Sequence, residues 1–222
     1  MRLLICVLFP LFSFTQHAND LNNLSNDVIW VTESKEYKML CQQIYNTATK
    51  QLKKQCKKNS NPVIIMDIDE TVLDNSKYQV DLHIQNTSFN SKSWNNFVEE
   101  EISELVPGAK KFILAYKKYS NAKIIYISNR DASTLESTKS NMKKLGIFFE
   151  DDIFLLRENK SDSKIIRRQE VLDGNHRMKN YGPQSVIAYF GDAIGDFPKD
   201  KKYQFAKNKF LFPNPMYGEW KK

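Results

Sequence analysis

The sequence lacks an apolar run long enough to cross a bilayer. Its longest apolar stretch, residues 3–14, is broken only by Pro10 and Ser13, whereas a membrane-spanning helix needs about 20 residues. Arg2 precedes this stretch and the polar residues 15–26 follow it, which is the pattern of a secretory signal peptide rather than of a buried N-terminal segment in a cytoplasmic protein. We therefore expect a signal peptide over residues 1–18, an exported protein (periplasmic, outer-surface or secreted), and no stable membrane insertion.

Cysteine is also scarce, with three in 222 residues. Cys6 lies inside the apolar run, too early for the lipid-bearing cysteine of a lipoprotein. Cys41 and Cys56 both fall in one predicted helix, fifteen positions apart, which separates them by about 22 Å. A disulfide tolerates about 7 Å between Cα atoms, so we expect two free thiols and no disulfide framework.

No arginine-rich patch interleaved with aromatic residues is present, so the sequence does not indicate nucleic-acid binding. The formal net charge of +7 comes from many lysines. Such a surface either attracts anionic substrates or is simply solvated. Hydrophobic residues at 41% and charged residues at 27% are typical of a globular chain, and the length suits one domain, which we place at residues 19–222.

Apolar periodicity alternates between helix and strand along the chain. A stripe at three- and four-residue steps predicts a helix over about 32–57 with Thr32 as its N-cap. Continuous apolar runs predict buried strands at 63–66, 123–127 and 185–190, with a shorter one at 153–156, and helices are expected over 109–119, 133–145 and 163–172. This alternation predicts an α/β fold with a parallel sheet flanked by helices. The polar segment 77–105 looks like a small helical cap element inserted beside the site.

Polar residues follow each of the three clear strands. Asp67 and Asp69 follow the first, Ser128 and Asn129 the second, and Asp192 and Asp196 the third. Ligands of open parallel sheets bind beyond the carboxyl ends of the strands, so we expect these groups to meet in one crevice. Lys164, at the start of the predicted helix 163–172, can add a cation there.

Four carboxylates so close together repel one another, and a hard divalent cation relieves that repulsion. Oxygen-only ligands favour Mg²⁺. A metal ion and a lysine attract a phosphate, which the Asp67 carboxylate can attack while Asp69 moves the proton. Taken singly these residues mean little, since acidic residues after a strand often form a turn or a helix cap. Their joint occurrence, in order and at strand ends, carries the prediction.

An EF-hand calcium site and the other known phosphatase nucleophiles do not fit the sequence. Calcium binding by an EF-hand loop is excluded because Thr71 and Val72 replace the required oxygen ligand and glycine. The three histidines lie outside any RHG sequence, and neither Cys41 nor Cys56 is followed six residues later by an arginine. Histidine and cysteine nucleophiles are therefore set aside.

The motifs resemble those of a known family. The run Ile65–Ser76 (IMDIDETVLDNS), Tyr126–Arg130 (YISNR), Lys164 with Arg167, and Gly191–Phe197 are similar to the four motifs of the class C acid phosphatases and exported 5′-nucleotidases of the haloacid dehalogenase superfamily. Smaller similarities near Trp30, Val106–Ala109 and Pro213–Trp220 extend the resemblance over nearly the whole chain after residue 18. It implies a haloacid-dehalogenase-like fold and a Mg²⁺-dependent phosphomonoesterase.

The resemblance also implies roles for individual residues. Asp67 would be the nucleophile and a metal ligand, and Asp69 the general acid/base, with its main-chain carbonyl facing the metal. Asp192 and Asp196 would complete the metal site. Ser128, Asn129 and Lys164 would hold the phosphoryl oxygens, and Phe89, Trp94 and Tyr217 would form an aromatic clamp for the substrate. The alternative is that these three aromatic residues pack the insert onto the core and have no role in substrate binding.

Ala193 departs from the family, in which an Asn is usual. This difference puts the fine positioning around the metal in question rather than the mechanism.

The function predicted from the sequence is therefore hydrolysis of small phosphate monoesters, nucleoside monophosphates in particular, through an aspartyl-phosphate intermediate. The alternatives are a phosphotransferase with the same intermediate and a non-catalytic storage or phosphate-binding protein on the same fold.

Overall fold

A five-stranded parallel sheet forms the centre of the computed structural model, which describes residues 24–218 and residue 220. The predicted signal peptide, residues 1–18, lies outside the described residues. The strand order is β5-β4-β1-β6-β7, and every neighbouring pair is parallel. The strands are β1 Val63–Met66, β4 Lys123–Asp131, β5 Ile153–Arg157, β6 Val186–Gly191 and β7 Lys209–Leu211. This arrangement confirms the predicted α/β class and its parallel sheet.

Helices cover both faces of the sheet. Successive side chains of a strand point to opposite sides, so each strand can contribute to a core cluster on either face. Ile64 and Met66 of β1 belong to one core cluster and Val63 and Ile65 to another. The helices around the first cluster are α2 Lys35–Lys58, α5 Ala109–Tyr116 and α6 Leu135–Leu145, while α7 Lys164–Asp173 contributes Val171 to the second. The strands are therefore buried on both faces, which explains their continuous apolar runs.

The prediction of a helix capped by Thr32 was wrong. A first helix, α1, spans Asn26–Glu33, and α2 begins only at Lys35. The side chain of Ser34, not Thr32, caps α2 by accepting a hydrogen bond from the Tyr37 amide at 3.0 Å. The Thr32 hydroxyl instead donates to the Val28 carbonyl inside α1. A hydroxyl residue two positions too early satisfied the sequence rule, because apolar spacing alone does not separate two consecutive helices.

Helix α2 contains both remaining cysteines, Cys41 and Cys56, which are buried and free, as predicted. Burial raises the pKa of the Cys41 thiol to about 12 and that of the Cys56 thiol to about 11. Both thiols are therefore protonated near neutral pH and unreactive as nucleophiles.

The segment between β1 and α5 contains the predicted helical insert. It consists of α3 Ser76–Ile84 and α4 Ser91–Glu99, framed by a two-stranded antiparallel ribbon of β2 Leu73–Asp74 and β3 Glu104–Leu105. Because the ribbon pairs the two ends of the insert, both helices stay beside the loop that follows β1.

Strand β4 is longer than its apolar run indicated, since it continues through Ser128, Asn129 and Arg130 to Asp131. The edge strand β7 was not predicted, because its three residues carry no period of their own. Within the described residues, no helix is both long and apolar enough to cross a membrane.

Candidate active site

Asp67 lies at the carboxyl end of β1, the middle strand of the sheet. Its amide donates to the Phe190 carbonyl of β6 at 2.9 Å, so the residue continues the sheet by one position. Its side chain is buried, and Lys164 Nζ lies 2.8 Å from its Oδ1 atom. The central strand thus presents a buried carboxylate directly to a lysine at the start of α7.

Asp67, Asp192 and Asp196 form a group of three carboxylates, each with an oxygen within 4.8 Å of the others. Asp196 is held from two sides, because its Oδ2 accepts from the Ala193 amide at 2.9 Å and its Oδ1 lies 2.5 Å from Lys164 Nζ. Gly191 permits this arrangement, since a Cβ at that position would lie 2.3 Å from the Cβ of Asp196.

The electrostatics of this group favour binding of a further cation. Burial raises the pKa of Asp67 well above its usual value; Lys164 opposes this, and repulsion from Asp196 and Asp192 adds to it. Burial and then Asp196 likewise raise the pKa of Asp192. One lysine cannot neutralise three carboxylates, two of them buried and that of Asp192 half-buried, and an all-oxygen donor set of this size fits a hard divalent ion.

Asp69 lies outside this group and is bound by other residues. Its Oδ1 accepts from Arg130 Nε at 2.9 Å and from Asn75 Nδ2 at 3.0 Å, and its Oδ2 accepts from the Ser128 hydroxyl at 3.0 Å. The Asp69 carboxylate is therefore separate from the group of three carboxylates formed by Asp67, Asp192 and Asp196. The predicted metal contact of Asp69 is through its main-chain carbonyl, and that contact stays a prediction.

The three predicted phosphate-binding residues approach the crevice from β4 and α7. Ser128 is buried and accepts from the Arg130 amide at 3.1 Å while donating to Asp69. The amide oxygen of exposed Asn129 accepts from Arg167 at 2.6 Å, which leaves its amide nitrogen available to donate. Arg167 is fully buried and also donates to the carbonyls of Ser128 and Leu155. It therefore fixes the end of β4 against α7.

Two of the predicted clamp residues, Phe89 and Trp94, share an aromatic neighbour in the insert. Tyr78 packs at 5.1 Å against Trp94 and at 6.4 Å against Phe89 (centroid distances), both edge to face. Phe89 is 61% exposed, so its ring is available to a ligand. Tyr217 is linked to the site through its backbone, since its amide donates to Asn214 Oδ1 at 3.4 Å and Asn214 Nδ2 donates to Asp192 at 2.8 Å.

The family model described as "HAD superfamily, subfamily IIIB (Acid phosphatase)" matches residues 11–220. The chain belongs to this family. Solved structures agree with that result. The class C acid phosphatase of Bacillus anthracis with tungstate bound is 28% identical, with a TM-score of 0.74 over 93% of this chain and 87% of the other. A second structure of the class C acid phosphatase from Bacillus anthracis is 26% identical, with a TM-score of 0.72 over 92% and 87%.

The resemblance to class C acid phosphatases and the haloacid-dehalogenase-like fold are therefore confirmed. The protein is an acid phosphatase whose substrates are small phosphate monoesters.

Three residues that organise this acid phosphatase site had no role in the sequence prediction. Arg130 and Asn75 bind Asp69, and Asn214 binds Asp192. Asn75 and Arg130 stood inside the first and second motifs, and Arg130 directly follows Asn129, so membership of these motifs was a usable signal. Asn214 lies close to the C-terminus, and nothing in its spacing linked it to Asp192.

The departure at Ala193 has a simple structural description. The contact of this residue with Asp196 uses its backbone amide, which any residue except proline supplies. Alanine therefore retains that contact.

Proposed function

We propose that this acid phosphatase hydrolyses phosphate monoesters through a covalent intermediate on Asp67, with Mg²⁺ as its cofactor and nucleoside monophosphates among its preferred substrates. The observation that supports the proposal best is the buried Asp67 carboxylate, placed between Lys164 and two further carboxylates. A carboxylate that served only the fold would not need to be buried among others of its own charge.

Asp67, Asp192 and Asp196, with the main-chain carbonyl of Asp69, would hold the Mg²⁺ ion. When bound, the ion supplies positive charge that offsets the repulsion between these carboxylates and the anionic substrate. Lys164 contributes the second positive charge from the protein side. The tungstate in the Bacillus anthracis enzyme is a tetrahedral oxyanion like phosphate, which supports an oxyanion site in this fold.

In the first half of the reaction, an Asp67 carboxylate oxygen forms a bond to phosphorus as the bond to the leaving oxygen breaks. Asp69 gives its proton to that leaving oxygen. In the second half, Asp69 takes a proton from water, and the resulting oxygen attacks the aspartyl-phosphate, which regenerates Asp67 and releases phosphate. Ser128, Asn129 and Lys164 orient the phosphoryl oxygens throughout.

The aromatic residues support a substrate with a planar ring. Phe89 presents an exposed ring beside Tyr78, and Trp94 lies in the same cluster. The Tyr217 amide donates to Asn214, which in turn binds Asp192 of the metal site. Stacking on an aromatic face contributes about 1–3 kcal/mol per base and tolerates different rings, which suits a nucleotidase of broad specificity.

The central experiment measures turnover of a panel of phosphate esters by the purified mature protein, with Mg²⁺ and after exhaustive chelation. Asp67→Asn keeps the side-chain shape but removes the nucleophile, so we expect a loss of several orders of magnitude. Asp200→Asn, on the exposed surface, is the matched control and should retain normal turnover. Near-normal turnover by Asp67→Asn, or by the chelated protein, would refute the proposed mechanism.

We further propose that the protein acts outside the cytoplasm, as the composition of residues 1–26 indicates. Determination of the N-terminal residue of the protein recovered from the exported fraction tests this. Recovery of full-length protein solely from the cytoplasm would contradict it.

A further inference from the structure

Arg130 has a buried guanidinium whose contacts are with Asp69, Asn75, Thr138 and the Trp94 ring, not with the group formed by Asp67, Asp192 and Asp196. Its side chain has no exposed surface, and both Nε and NH2 lie 2.9 Å from Asp69 Oδ1. Asp69 is 15% exposed at its side chain. Arg130 therefore reaches the proposed acid/base from the protein interior, on the side away from solvent.

Contacts with several parts of the chain fix the Arg130 guanidinium independently of Asp69. NH1 donates to Thr138 Oγ1 in α6 at 3.1 Å, and NH2 donates to Asn75 Oδ1 at 3.2 Å. The Trp94 ring of α4 covers the guanidinium at 5.7 Å from its centroid, a distance at which a cation is attracted to the ring face. The planar guanidinium group, held at these points, has little freedom to rotate.

Asn75 extends this arrangement into the insert. Its Oδ1 also accepts from the Ser103 hydroxyl at 2.7 Å, and its Nδ2 donates to Asp69 at 3.0 Å. Asn75 and Arg130 thus contact each other and share Asp69 Oδ1. These contacts leave Asp69 Oδ2 with the Ser128 hydroxyl, on the side of the proposed phosphate site.

We propose that Arg130 is a positioning residue, which holds the Asp69 carboxylate in the orientation required for proton transfer and apart from the three-carboxylate group. This inference rests on the proposed function, because it assigns the acid/base role to Asp69. Catalytic geometry is sensitive to such support, since a misplacement of about 1 Å costs roughly a hundredfold in rate. The alternative is that Arg130 contributes to folding stability alone.

A double-mutant cycle separates these two roles. Arg130→Met removes the guanidinium but retains an unbranched apolar side chain, and Asp69→Asn removes the acid/base. We expect Arg130→Met alone to lower kcat by about ten- to a hundredfold, the effect typical of residues that orient a reactive group, with KM changed by less than about threefold. In the Asp69→Asn background, the same substitution should change kcat by less than about twofold, because it acts through Asp69.

The possible outcomes distinguish the two hypotheses. If Asp69→Asn lowers kcat and Arg130→Met lowers it further by the same factor as in the wild type, the positioning role is refuted while the proposed function stands. If Asp69→Asn retains near-normal kcat, the acid/base assignment fails, and the positioning role fails with it. Should Arg130→Met not fold, Arg130→Lys in the same cycle replaces it, because an ammonium cannot reproduce the planar contacts.

Lys117→Met is the matched control for loss of a buried cation. Lys117 is 6% exposed and pairs with Asp151 and Asp152, near the amino end of β4, where Asp152 also accepts from the Ile124 amide. The site lies at the opposite, carboxyl end of the strand. We expect Lys117→Met to lower the Tm while kcat stays within about twofold of the wild type. A fall in kcat comparable to that of Arg130→Met would attribute both losses to reduced stability and overturn the proposal.

Discussion

Asp152 should make the stability of the protein depend on pH in a direction opposite to that of most carboxylates. Its side chain has no exposed surface. Oδ1 accepts from Lys117 Nζ at 2.9 Å and from the Ile124 amide at 3.3 Å, whereas buried Oδ2 has no hydrogen-bond partner among the described residues. Burial raises the pKa of Asp152 to about 6, although Lys117 opposes the shift.

The size of the effect follows from this pKa. The folded state retains a proton on Asp152 up to about pH 6, while the unfolded chain loses it near pH 3.9. The contribution is fully present below pH 3.9 and is lost as the pH rises through 6. A shift of about two units corresponds to about 3 kcal/mol in the free energy of unfolding. For a chain of this length, that is a Tm difference of about 6–12 °C.

Asp152→Asn keeps the shape and one acceptor but removes the ionisation. The measurement is the Tm, or the urea-unfolding free energy, of wild type and variant at several values between pH 4 and pH 8. We expect the unfolding free energy of the variant, relative to that of the wild type, to rise by about 3 kcal/mol as the pH increases from 4 to 8. Asp151→Asn is the control, because Asp151 pairs with the same lysine but is 54% exposed at its side chain; its difference curve should be nearly flat.

A flat difference curve for Asp152→Asn would refute this reasoning. It would mean that the Lys117 ion pair compensates for burial, so that Asp152 is ionised in the folded protein throughout the range. A curve that rises equally for both variants would instead locate the effect on Lys117.

Three further predictions concern the site and its supports. Lys164→Met removes the lysine that pairs with Asp67 and Asp196, so the metal-free protein should lose about 3–5 kcal/mol of stability, much of which Mg²⁺ should restore; an equal Tm loss with and without the ion would contradict this. Phe89→Ala should raise the KM for a nucleoside monophosphate about fivefold to 150-fold from lost stacking and leave a small aliphatic phosphate unaffected, and it is a cleaner test than Trp94→Ala because Trp94 also covers Arg130. Equal effects on both substrates would show that Phe89 is structural. Tyr45→Phe removes the donor to the buried Thr71 carbonyl in the loop after β1 and should lower the unfolding free energy by about 1–3 kcal/mol; urea unfolding with no measurable change would refute that role.

Local sequence was sufficient for the central features of the fold. Val63–Met66 is apolar at every position because β1 is buried on both faces, and Asp67 follows it because the chain leaves the sheet there. Polar residues at the ends of β4 and β6 were expected to meet at Asp67 for the same topological reason. Asp192 and Asp196 after β6 do lie beside it, whereas Ser128 of β4 contacts Asp69. The free state of Cys41 and Cys56 followed from helical spacing alone.

Local pattern failed in two places, at a helix break with a local cause and at an edge strand whose partner is distant in sequence. Two successive helices share one apolar stripe, so the break at Ser34 depends on its side-chain cap. The edge strand β7 forms because β6 offers it a partner.

The division between sequence and tertiary structure is clearest at the two reactive carboxylates. The sequence by itself determined that Asp67 and Asp69 stand together after a buried strand, because neighbours in the chain are neighbours in space. Only the tertiary structure decided that their side chains serve separate groups, with Asp67 beside Lys164 and Asp69 bound by Arg130. These lysine and arginine partners lie 97 and 61 residues along the chain. The physical reason is that an ion pair depends on the packing of β4 and α7 around β1, which no local spacing encodes.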